Sequence, residues 1–224
     1  MSYQNYRPSG FNVLTPVVKN LVILNVICFV ATFVVGNRFD IDLNDVLGLH
    51  YFTSDKFYTY QFITYMFMHG SVTHIFFNMF ALWMFGNVLE NYWGSKRFFV
   101  YYFITGTGAA LTHMGYTTWQ LMKIEDVRHI QMIIDEPVVG ASGAVFGLLL
   151  AFGMLFPNTM LYVYFAIPIK AKYFVSIYGL IELFGGINNS PTDNVAHFAH
   201  LGGMLFGIIL ILYWRKNSHN NYYE

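Results

Sequence analysis

A serine set between glycines and a histidine followed by glycines are the residues of this chain best suited to chemistry. Ser142 sits in Gly140-Ala141-Ser142-Gly143, and His200 sits in Ala196-His197-Phe198-Ala199-His200-Leu201-Gly202-Gly203. Glycine lets another backbone come close, which a hydroxyl attacking a peptide bond requires. A neutral imidazole takes the proton from such a hydroxyl and later delivers it to the leaving amine. Each motif also has a plain packing reading. Gly143 and Gly147, and likewise Gly203 and Gly207, are spaced as small residues at helix contacts. A histidine at a helix end can simply be hydrogen-bonded at an interface.

A second group lies upstream. His74 and Asn78 are four residues apart and share a helix face, with Ser71 as a suitable N-cap. Acyl transfer needs hydrogen-bond donors where negative charge develops on oxygen. The Asn78 amide, the His74 ring and the Ser142 backbone N–H are candidates, and a polar cluster bridging helices is the alternative. His69, His74, His197 and His200 also raise metal binding. No carboxylate or thiol stands close in sequence to complete such a site. The expectation is therefore no metal and no cofactor.

These residues must be held by something, and composition says what. Of 224 residues 56% are hydrophobic, 20% aromatic and only 11% charged, against about 25% charged in an ordinary soluble domain. So little charge cannot cover a water-facing surface of this size, and the expected solvent is the lipid bilayer. Zero formal net charge gives no reason to expect a nucleic-acid partner. The single cysteine, Cys28, cannot form an internal disulfide. The first apolar run follows a polar start without a clear cleavage site and reads as a retained helix.

A span needs about 20 mostly apolar residues. Guided by that rule we place six candidates, the fourth and fifth shorter than the rest: Pro16–Val35, Ser71–Leu89, Arg97–Trp119, Ala141–Phe156, Lys172–Gly186 and Ala196–Trp214. The stretch 62–68 ahead of the second reads as interfacial. Two long acidic loops, 36–61 and 120–139, alternate with short or basic connections. The implied organisation is a membrane domain over 16–214 with short cytoplasmic tails at 1–15 and 215–224. With both termini inside, eight Lys and Arg face the cytoplasm and four face outward, as the positive-inside rule requires. The second, fourth and sixth helices then run inward from the outer side. Ser142 and His200, each a few residues from an outer helix end, come to the same depth, about one turn inside.

Taken in this order, the motifs resemble the rhomboid family of intramembrane serine proteases. The likeness runs from about Tyr60 to Trp214. It rests on His69, His74-Ile75-Phe76-Phe77-Asn78, Glu90 and Gly94, Gly140-Ala141-Ser142-Gly143, and Ala199-His200-Leu201-Gly202-Gly203. The resemblance implies an all-α, six-transmembrane-helix rhomboid-like bundle. It implies a Ser142–His200 catalytic dyad without a third acid, with His74 and Asn78 at the oxyanion site and Gly140 and Gly143 beside the serine. Single-span transmembrane proteins would be the substrates, reached through a cavity open to the outside. Glu90 would have a structural role. Many members carry tryptophan-arginine where this chain has Tyr60-Gln61, and a tyrosine beneath the histidine where it has Phe146. A catalytically inactive rhomboid-like chaperone and a small transporter are the competing readings. An inactive relative would lack the serine or the histidine. A transporter would show more intramembrane acids than Glu182, the one acid well inside a span.

Overall fold

The structure, a computed structural model, describes residues 12–163, 166–188 and 196–220; Arg7 and the outer parts of both expected tails lie outside them. Helix α1 (Pro16–Phe39) starts with proline in its first turn, where a missing N–H costs nothing. It ends at Asp40, whose φ of 57° is left-handed and whose N–H bonds the Gly36 carbonyl. Its 24 residues span about 36 Å at 1.5 Å each. Val18, Leu21 and Asn25 turn inward, while Ile23, Leu24, Ile27, Phe33 and Val34 turn out. An outer face this apolar is stable only against lipid. Asn25 donates its amide back to the Leu21 carbonyl, which limits the cost of a polar group here.

Two short helices, α2 (Leu43–Leu47) and α3 (Gln61–Thr64), lie in the first long loop, with a 3-10 turn at Tyr65–Phe67. Tyr65, Met66, Phe67 and Met68 are buried in the protein core. The expected interfacial position of 62–68 is thus wrong for its second half, which packs under the helices rather than on lipid. Helix α4 (Val72–Trp93) is capped by Ser71, whose hydroxyl accepts the His74 N–H. It widens into a π turn at Leu82–Gly86, where a side chain on Gly86 would press on Val18 of α1.

Helix α5 (Ser95–Leu121) leads to α6 (Val127–Asp135), a short helix inside the second long loop. Helix α7 (Ser142–Leu155) has 14 residues, and most of them are buried. It lies against α4, α5, α8 (Ala171–Asn188) and α9 (His197–Asn220). An antiparallel hairpin, β1 (Met160–Val163) and β2 (Ile167–Lys170), joins α7 to α8. This small sheet departs from the all-α expectation.

All six apolar runs are helical. Three of these helices, α1, α4 and α9, are long and apolar enough by length and composition to cross a membrane, and α7 is a shorter apolar helix. Helix α9 continues beyond Trp214, because Arg215 and Lys216 change polarity without breaking the backbone hydrogen bonds.

Glycines set the closest approaches. Gly203 of α9 lies on the Gly143 carbonyl of α7, with no room for a Cβ. Gly147 packs on Thr105, and Gly207 packs on the Tyr101 hydroxyl. The backbones of α7 and α9 meet at Gly143–Gly203, while Gly147 and Gly207 seat the two helices on α5.

Candidate active site

Ser142 is the first residue of α7 and His200 the fourth of α9. The contact between Gly143 and Gly203 levels the two helices, so α9 rises past the start of α7. Ser142 therefore opens its helix, with no turn of α7 above it, rather than lying a few residues inside the helix end as expected. The Ser142 Oγ lies 2.7 Å from His200 Nε2. The His200 ring stacks on Phe146 at 4.2 Å and 8°. Phenylalanine thus keeps the ring contact expected beneath the histidine.

The segment ahead of Ser142 is held by the loops. Val138 and Leu49 exchange two backbone hydrogen bonds of 2.9 Å, and Gly140 N–H donates to the Tyr65 carbonyl at 2.9 Å. Ser54 donates its hydroxyl to Asp135 at 2.7 Å, tying α6 to the first loop. Hydrogen bonds from Gln131 and then Ser54 hold the Asp135 carboxyl below its usual range. Gln61 is fully buried and knits the first loop. Its Oε1 accepts from His50 and Tyr58, and its Nε2 donates to the Val46 and Lys56 carbonyls.

Gly140 has a φ of 128°, which excludes most side chains. A Cβ there would lie 2.7 Å from His74 Nε2 and 3.7 Å from the Ser142 Oγ. The His74 ring therefore lies against the backbone beside Ser142, where the sequence put it. Asn78 is buried one turn along α4 and gives one amide hydrogen to the His74 carbonyl at 3.1 Å. A second amide hydrogen remains on that nitrogen. Gly143 differs from expectation. A Cβ there would collide with the Ala109 Cβ, so its lack of a side chain serves the close packing of α5 rather than space beside the serine.

His69 is buried with its ring 4.9 Å from that of His74. His197 turns its Nδ1 to Glu182 Oε2 at 2.7 Å. His200 turns its Nδ1 to the same oxygen at 2.8 Å. The expected absence of an acid beside the Ser142–His200 pair is thus not met. Sequence reasoning had noted Glu182 only as a lone acid within an apolar helix. That anomaly was the signal, since a carboxylate there demands a partner.

At the opposite end of the bundle, Glu90 accepts the Val17 and Val18 N–H groups at 3.0 and 2.9 Å and the Ser95 hydroxyl at 2.6 Å. It joins the starts of α1 and α5 to the end of α4, the structural role expected of it. Gly94 follows with a φ of 80°, turning the chain into α5.

The rhomboid domain matches residues 56–217 of the chain. "Rhomboid protein 1, mitochondrial" of Saccharomyces cerevisiae is 28% identical over 67% of this chain and 40% of its own length. "RHOMBOID-like protein 12, mitochondrial" of Arabidopsis thaliana is 31% identical over 84% of the chain and 55% of its own length. "Rhomboid protease AarA" of Providencia stuartii is 28% identical over 65% and 52%. The chain thus spans about half the length of these relatives. A match over most of the sequence, on apolar helices long enough to cross a membrane, makes this chain an integral membrane protein that belongs to the rhomboid family.

Proposed function

We propose that the chain is an intramembrane serine endopeptidase that cuts transmembrane segments near their outer ends, with Ser142 as nucleophile and His200 as general base. The observation that carries the reading is the 2.7 Å approach of Ser142 Oγ to His200 Nε2. Ser142 gives its proton to Nε2 as Oγ bonds to the scissile carbonyl carbon. The proton then passes to the leaving amine as the C–N bond breaks, and water repeats the sequence on the acyl-enzyme. His74 and Asn78, with the Ser142 backbone N–H, are the donors we assign to the developing oxyanion. Gly140 allows the His74 ring its place. The proposed frame has six spans and both termini cytoplasmic, with a membrane domain over 16–214.

A helical substrate hides its carbonyls in i to i+4 hydrogen bonds, so the segment must unwind before attack. Glycine, proline or other weak helix formers near the outer end of the substrate span favour that step. The test is cleavage of single-span proteins by the full chain in liposomes, with chelator present. Replacing the outer-end helix breakers of a cleaved substrate by leucine should lower the cleavage rate sharply while binding persists. Equal cleavage of an all-leucine span at the cytoplasmic end would overturn both orientation and mechanism. Loss of activity on chelation, restored by zinc, would favour the metal reading instead.

A further inference from the structure

We infer that Glu182 is a positioning residue for His200, so that Ser142, His200 and Glu182 form a relay of three rather than a bare pair. The inference rests on the proposed role of Ser142 and adds the group that makes His200 a base. Glu182 lies on α8 between Ile181 and Leu183, both exposed on the apolar outer face, yet is itself only 7% exposed. A carboxylate turned inward from such a helix is costly unless donors hold it. The donors are two imidazoles on α9, His197 Nδ1 at 2.7 Å and His200 Nδ1 at 2.8 Å from one oxygen.

An ionised carboxylate can only accept hydrogen bonds. Each ring that meets Glu182 must therefore present Nδ1–H. For His200 this leaves Nε2 with its lone pair toward Ser142, the one neutral tautomer that can take the serine proton. Phe146 covers a face of the ring and offers no hydrogen bond. Choice of tautomer thus falls to the acid. When Ser142 attacks, its O–H bond breaks and the proton goes to Nε2. The resulting imidazolium keeps its Nδ1–H on Glu182, whose charge balances it. Glu182 stays ionised, and the proton leaves from Nε2 to the departing amine. His197, one turn before His200, holds the same carboxylate oxygen and fixes its position.

A purely structural reading would have Glu182 staple α8 to α9. The experiment separates the two with the full chain in detergent. It measures the rate of Ser142 acylation by a fluorophosphonate, kcat and KM on a single-span substrate, the thermal midpoint, and the histidine tautomers by 15N NMR, with His200 assigned by its loss in His200→Ala. Glu182→Met should lower acylation rate and kcat on the order of 10²- to 10⁴-fold with KM little changed, and should shift His200 toward Nε2–H. Glu182→Gln removes the charge and adds an N–H donor that can hold His200 as Nε2–H, and should lose on the order of 10²- to 10⁴-fold. Glu182→Asp should recover part of what methionine loses. A Glu182→Met protein that labels and turns over at the wild-type rate per folded molecule, with its tautomer unchanged and only its midpoint lowered, would overturn the relay. Should that variant not fold, the isosteric Glu182→Gln decides by the same rate. If the wild type does not label, or labels equally after Ser142→Ala, the proposed nucleophile fails and the relay with it. The relay alone fails if labelling at Ser142 is intact and indifferent to Glu182.

Discussion

Glu90 and Glu182 are the buried acids among the described residues, at 3% and 7% exposure, and they hold opposite kinds of partner. Glu90 accepts two backbone N–H groups and a serine hydroxyl at the junction of α1, α4 and α5. Its charge faces the N-terminal end of α1, where orphan amides and the helix dipole favour an anion. None of those donors is an imidazole that could take up a proton and pass it on, so the carboxylate only ties elements together. Glu182 accepts from two imidazoles, one of which reaches a serine hydroxyl through its far nitrogen. The same side chain in the same solvent becomes a brace in one place and a control on a proton in the other. The partner decides, not the acid.

Mutations sharpen that contrast, because one end should answer in rate and the other in stability. The largest effect is expected at His200. His200→Ala should lower turnover per folded molecule on the order of 10⁴- to 10⁶-fold, measured as cleavage in liposomes, with some loss of thermal midpoint because Glu182 gives up one of its two donors. Next is Asn78→Ala, with kcat reduced on the order of 10²-fold through loss of one oxyanion donor and KM nearly unchanged. An unaltered kcat in a weakened bundle would make Asn78 a packing residue. The smallest effect on activity belongs to the opposite end. Glu90→Leu leaves the Val17 and Val18 amides without their acceptor and should cost about 2–4 kcal/mol of stability, read from unfolding in detergent, while turnover per folded molecule persists. A Glu90 variant that keeps its stability but loses turnover would erase the distinction between the two acids.

Much of this was legible in sequence, for identifiable reasons. The six apolar runs are helices, the form in which an apolar segment satisfies its own backbone hydrogen bonds. Ser142 and His200 stood out through the order of their motifs, since each motif alone also has a packing reading, and Phe146 through the resemblance to the rhomboid family. The ends were less so. Helix α6 was hidden by the acids around it, although Asp126 caps it by accepting the Arg128 N–H at 3.0 Å. Gly143 and Gly147 have the right spacing for close packing, but spacing does not name the neighbour, and α5 supplies most of it. Glu182 stood out as an acid in an apolar helix, yet its partners lie 15 and 18 residues away on another helix. The rotation of one helix against the next is a property of packing, which periodicity within a helix does not encode.

The most direct measurement of the central claim is covalent labelling of the full chain by a fluorophosphonate in detergent, with the modified residue mapped by mass spectrometry. The account predicts one adduct, on Ser142, abolished in Ser142→Ala and in His200→Ala while both variants remain folded. An adduct that persists in Ser142→Ala, or a Ser142 that labels equally well without His200, would contradict it.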